Sequence, residues 1–109
     1  MRMTQRPAGE IAVIFVSQVT GADPDGYAAA AEAMEALART QPGYRGIESA
    51  RGSEGFGITV SYWADEAAAV AWRRNAEHTA IRERGRSVWY SSYSVHVAEI
   101  ARSYDWRKP

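Results

Sequence analysis

The sequence predicts a single α+β domain in the order β-α-β-β-α-β, with a four-stranded antiparallel sheet and its helices on one face. Three observations predict it. The domain opens on an apolar run rich in β-branched residues, Ile11–Val19 (IAVIFVSQV). Helical periodicity appears twice, each time behind an aspartate able to cap it. Two alternating segments separate the helices and an aromatic-rich one follows them.

Met1–Glu10 carries Pro7, Gly9 and little apolar content, and is expected to be a flexible leader. The domain proper is expected over residues 11–104, with 105–109 a polar tail. In the opening run Ile11, Val13 and Phe15 share one face and Ala12, Ile14 and Val16 the other, as in a strand covered on both sides. TGADPD (Thr20–Asp25) is turn chemistry, with Asp23 as N-cap and Pro24 where a missing N–H costs nothing. Tyr27, Ala30, Ala31, Met34, Leu37 and Ala38 then form a helical stripe, stopped by Gln41-Pro42-Gly43, which places a helix at about residues 24–40. Tyr44–Arg51 alternates weakly, and Gly52–Gly55 (GSEG) is a hairpin connection. Phe56–Trp63 is a clear strand, with Phe56, Ile58, Val60 and Tyr62 on one face. Asp65 caps a second helix reaching through Trp72 to about Asn75. A third helical piece spans Thr79–Arg84 and ends near Gly85, and Ser87–Ala101 reads as one long last strand. Two split βαβ units of this kind give the ferredoxin-like arrangement.

Composition removes several classes of function. Thirteen basic and thirteen acidic residues cancel, so no global field draws the chain to nucleic acid or to a membrane surface. Without cysteine there are no disulfides, thiolate nucleophiles or cysteine-held metals. Two histidines are too few for a multi-histidine metal centre, and no metal site is expected. The longest apolar stretch is far short of a membrane span. A soluble, cytoplasmic domain is the expectation.

The helices cover one sheet face, yet the first strand is apolar on both. Eight of the twelve aromatic residues fall in predicted strands, too many to sit beneath two short helices. A large apolar face left open to water is an aggregation hazard or a binding surface. The economical cover is a second copy packed sheet to sheet, which predicts a homodimer.

ITVSYWADEAAAVAWRRNAEH (Ile58–His78), QPGYRGIESAR (Gln41–Arg51) and WYSSYSVHVAEI (Trp89–Ile100) resemble the antibiotic biosynthesis monooxygenase superfamily, in particular its small uncharacterised bacterial branch. The resemblance covers about Ile11 to Tyr104. It implies a dimeric α/β barrel, two ferredoxin-like protomers facing through their sheets, each with a pocket between sheet and helices. It also implies a monooxygenase-like activity on a small aromatic, phenolic or polyketide-like metabolite, without a cofactor. The alternative is a non-catalytic homodimer that binds such a molecule. Haem-degrading relatives carry an asparagine on the first strand and an axial histidine ten residues after the second-helix tryptophan. Here Ser17 and Arg82 occupy those positions, so haem binding is disfavoured.

If the second helix continued, Trp72, Asn75, Thr79 and Arg82 would project within about 80° of one another, at roughly 100° per residue. His78 stands one turn from Asn75 and Arg82. As catalytic groups, His78 would transfer the proton while Asn75 and Arg82 hold an oxyanion. Trp72, Tyr62, Phe15, Ser17 and Tyr90 would line the substrate pocket. As structural groups, Trp72 anchors its helix on the sheet, His78 caps a helix junction and Asn75 ends a helix. His96 is read as a structural histidine. GSEGFG (Gly52–Gly57) lacks the helix that a dinucleotide site requires, and RERGR (Arg82–Arg86) is expected to be solvated surface.

Overall fold

The Ile11–Val19 run forms β1 and lies inside the sheet, paired on both edges, as its two apolar faces require. A computed structural model describes residues 8–109. After β1 come α1 (Pro24–Arg39), β2 (Tyr44–Arg51), β3 (Phe56–Trp63), α2 (Glu66–Arg74), α3 (Ala76–Arg84), a single π-helical turn (Gly85–Trp89) and β4 (Tyr90–Glu99). The sheet order is β2-β3-β1-β4, with every pair antiparallel. This is the α+β, ferredoxin-like topology expected from the element order.

Both helix caps work as the sequence suggests. Asp23 accepts from the Gly26 N–H at 3.2 Å, and Asp65 from the Ala68 N–H at 2.8 Å. Residues 1–7 of the expected leader lie outside the described residues. Its end is sheet-bound: the Gly9 N–H donates to Ile100 O, the Ile100 N–H to Glu10 O, and buried Glu10 lies 3.6 Å from Arg45.

Register decides which residues face the helices. Ile11, Val13, Phe15 and Ser17 stand opposite Trp63, Ser61, Thr59 and Gly57, so all eight share one face. On that face Ile11, Trp63, Ala38, Ala69 and Trp72 form the buried core, with Val13, Met34, Leu37, Tyr44 and Ala68 against it. Trp63 is fully buried, and its indole N–H is satisfied by Ser61 Oγ at 3.0 Å. Gly43 sets how closely α2 approaches: its φ is +81°, and a Cβ there would lie 2.5 Å from that of Ala68.

The other face carries Ala12, Ile14 and Val16 opposite Tyr62, Val60 and Ile58. No helix among the described residues covers it, and Phe56 and Ile58 are 53% and 41% exposed. His96, opposite Ile14, is on this open face too.

Three expectations need correction. The third helical piece begins at Ala76, not Thr79, because Asn75 ends one helix and caps the next. The last strand begins at Tyr90, not Ser87: the helix does not stop at Gly85 but winds on through a π-helical turn. Gly85 is right-handed (φ −56°, ψ −46°), and a Cβ there would strike the Tyr90 ring at 2.7 Å, so glycine is needed for close approach. Finally, strict alternation along one long last strand would put Tyr90 and Tyr93 on opposite faces, but the register shifts between Gln18 and Val19. Tyr93 stands opposite Ser17 and Tyr90 opposite Val19, so both rings face the helices. No helix among the described residues is long and apolar enough to cross a membrane.

Candidate functional site

The residues singled out in the sequence fall into three places. At the Ile11 end of β1, α2 and α3 meet over a ladder of rings. Tyr44 stands edge-on to Trp63 at 6.0 Å, Trp63 stacks on Trp72 at 5.5 Å, and Trp72 lies against His78 at 4.3 Å. His78 Nδ1 is 2.8 Å from Trp72 O. A carbonyl only accepts, so Nδ1 carries the proton and Nε2 the lone pair. Burial pushes the His78 pKa below its ordinary value; the Trp72 carbonyl opposes this, and the charges of Arg82 and Arg73 add to it. His78 is therefore neutral at pH 7.

Asn75 leaves helical geometry at ψ 129°. Its Oδ1 accepts from the N–H groups of Glu77 (3.0 Å) and His78 (3.1 Å), and its Nδ2 donates to Gln41 Oε1 at 3.4 Å. This break removes the continuous helix on which the expected fan of Trp72, Asn75, Thr79 and Arg82 depended. The structure joins Trp72, Asn75 and His78, but as a helix junction whose amide is committed to capping. Arg82 reaches the Arg73 carbonyl at 3.5 Å, and its buried Nε has no hydrogen-bond partner. Beside the junction an open pocket of about 330 Å³ is lined by Gln41, Pro42, Gly43, Asp65, Ala68 and Trp72, among others.

At the Val19 end, Phe15, Ser17 and Tyr90 come together as expected, within a larger cluster. Phe15 lies 5.3 Å from Tyr90 and 5.2 Å from Tyr93. Tyr27 of α1 stands edge-on to Tyr90 at 5.8 Å and to Trp89 at 6.1 Å. Arg51 donates through Nη2 to the buried Ser17 hydroxyl at 2.7 Å and through Nη1 to the carbonyls of Ser17 and Gly55, and its guanidinium lies 5.4 Å from the Tyr27 ring centre. Arg84 stands over Trp89 at 6.0 Å and Arg86 over Tyr93 at 5.7 Å, with Arg86 Nε donating to the Tyr93 hydroxyl. Among the described residues none of these three guanidinium groups is in an ion pair. Burial pushes the Tyr90 phenol far above its ordinary pKa, and the neighbouring Tyr27 adds to the shift. A pocket of about 170 Å³ opens here, lined by Arg86, Tyr90, Ser91, Ser92 and Tyr93.

Tyr62 joins neither group. It stands opposite Ala12 and Gly46 on the open face, with the sheet between it and Phe15 or Trp72, so its placement in one pocket with them is corrected. Trp72 and Tyr90 are also apart, at opposite ends of β1. Sequence reasoning missed Arg51, Arg84, Arg86 and Tyr93 as site residues. A signal existed for Arg51, which alternates with Ile47 and Ser49 and so points inward. Arg84 and Arg86 read as solvated surface because the π-helical turn that seats them beside Trp89 and Tyr93 leaves no periodic trace. Among the described residues no three His, Asp or Glu side chains gather as metal ligands would.

Residues 11–84 match the family model described as antibiotic biosynthesis monooxygenase. The chain is 52% identical over 91 residues to the uncharacterized protein YqjZ of Bacillus subtilis (strain 168), covering 84% of this chain and 79% of that one. It also resembles the crystal structure of SnoaB, a cofactor-independent oxygenase from Streptomyces nogalater, with TM-score 0.72 at 16% identity over 94% of this chain and 97% of that one. A conserved protein from Methanosarcina mazei Go1 gives TM-score 0.75 at 11% identity, over 84% and 92% of the two chains. At these identities the two structures speak for the fold.

Proposed function

The chain belongs to the antibiotic biosynthesis monooxygenase family, and from that premise we propose that it acts as a homodimer to oxygenate a small phenolic or polyketide-like metabolite without a cofactor. The second copy covers the open sheet face. Phe56 and Ile58 there are exposed, and with half-buried Val60 they form an apolar surface that no helix among the described residues covers.

The ligand end is the Val19 end of β1. In cofactor-independent oxygenation the substrate supplies the electrons: a phenol that loses its proton to solvent becomes an electron-rich phenolate able to reduce dioxygen directly. One oxygen atom enters the ring as a quinone carbonyl, and the other leaves as water with the two hydrogens lost from the ring carbon and the hydroxyl. The protein has to favour the anion, hold the ring and limit water. Phe15 and Tyr90 supply ring walls. One observation carries the reading: Arg51 is a cation without a carboxylate partner among the described residues, held on buried Ser17 inside a cluster of rings. Such a charge favours the anionic form of a bound phenol. Trp72, Asn75 and His78 hold the α2–α3 junction and take no part in the proton transfer.

A non-catalytic homodimer binding the same molecule is the second reading. It is favoured by Asp23, a carboxylate at the cluster whose two oxygens already accept from the Gly26 N–H and the Trp89 indole. Oxygen uptake by chelator-treated protein with hydroquinones and naphthols separates the two. The oxygenase reading expects uptake that falls at least tenfold in Arg51→Gln and persists in His78→Ala. Stable binding without uptake removes it in favour of the second.

A further inference from the structure

We propose that the pocket where β4 begins selects a planar aromatic anion, with Arg86 as its charge partner and Tyr90 and Tyr93 as its ring wall. The inference rests on placing the ligand end at these rings. Three guanidinium groups, those of Arg51, Arg84 and Arg86, each stand over a different ring of one connected aromatic cluster. The chain as a whole is neutral, so this positive field is a local construction.

Arg84 and Arg86 are both exposed, and of the three it is Arg86 that lines the pocket, together with Ser91 and Ser92. Its Nε is committed to the Tyr93 hydroxyl, which fixes the fork over the ring, while its two Nη groups have no partner among the described residues. A neutral arene would use the ring wall and leave those donors to water. Inorganic phosphate would use the donors and leave the rings bare. A phenolate or an aryl carboxylate uses both, and the two serine residues add short polar side chains at the rim.

Calorimetric titration of the full chain with 2-naphthoate, 2-naphthalenemethanol and inorganic phosphate tests this. The expected result is naphthoate binding roughly tenfold or more tighter than the neutral alcohol, with phosphate failing to compete. Arg86→Gln should weaken naphthoate roughly tenfold, the scale of a lost hydrogen bond to a charged group, and leave the alcohol unchanged. Arg86 is exposed, so the substitution opens no core, and an unchanged circular dichroism melt confirms that the variant folds. Equal affinity for naphthoate and the alcohol, or indifference of naphthoate to Arg86→Gln, overturns the proposal. Repeating the titration with 2-naphthol on either side of its own pKa distinguishes the anions: tightening at high pH that vanishes in Arg86→Gln identifies phenolate, and its absence with naphthoate still bound identifies carboxylate. Arg86-dependent binding without oxygen uptake removes the oxygenation alone.

Discussion

Replacing His78 by alanine distinguishes a structural histidine from a proton-transfer group, and the structure sets the size of the effect. The substitution removes the Nδ1–H bond to Trp72 O, at 2.8 Å, which is worth about 1 kcal/mol. That carbonyl keeps the Asn75 N–H at 3.1 Å, so no orphaned acceptor adds to the cost. Loss of the ring packed 4.3 Å from Trp72 costs a further ~1 kcal/mol. The total is about 2 kcal/mol, a fall in Tm of about 10 °C for a domain of this size. A pH signature accompanies it. The folded pKa of His78 lies below the ordinary 6.5, so below that pH the unfolded chain takes up a proton that the folded chain resists. Stability therefore falls as pH drops through 6.5 toward the lower folded pKa, and His78→Phe, which cannot titrate, should show a flatter profile. Urea unfolding of the three proteins at pH 7.5 and 5.5 reads both effects. A His78→Ala variant within ~0.5 kcal/mol of wild type, with the same pH slope, would show that His78 does not hold the α2–α3 junction.

Three other substitutions probe the fold and the assembly. Gly43→Ala forces a Cβ into the left-handed region and to 2.5 Å from the Ala68 Cβ, and should cost about 2–4 kcal/mol in denaturant unfolding. Ile58→Asp puts a charge on the open sheet face without entering the core: light scattering should give twice the 12.0 kDa chain mass for wild type and a shift toward the single chain for the variant. A wild-type chain that stays single at all concentrations ends the dimer proposal. Trp72→Phe should lower stability by about 1–2 kcal/mol while naphthoate affinity stays within about twofold, since Trp72 belongs to the core.

Topology was legible because each element carries its own period. Alternation in Phe56–Trp63, the helical stripe from Tyr27 to Ala38 and two aspartate caps are local signals, and the fold respects them. The site was legible only in pieces. Phe15, Ser17 and Tyr90 do meet, but Tyr62 faces the other way, because relative facing depends on strand register rather than on either strand's pattern. Tyr90 changed sides through one extra residue in β4, a bulge that alternation cannot reveal. Asn75 interrupted a helix that remained periodic on paper, so the imagined fan of polar groups became a capping junction. The arginines over Trp89 and Tyr93 were hidden for a similar reason, since the π-helical turn supplies their geometry.

All of this turns on which end of β1 receives the ligand. A crystal structure of the full chain soaked with 2-naphthoate measures that directly. The expected density places the naphthalene ring against Tyr90 and Tyr93, its carboxylate toward Arg86. Density for the ring in the Gln41–Trp72 pocket, with the Tyr90 end unaltered, would contradict it.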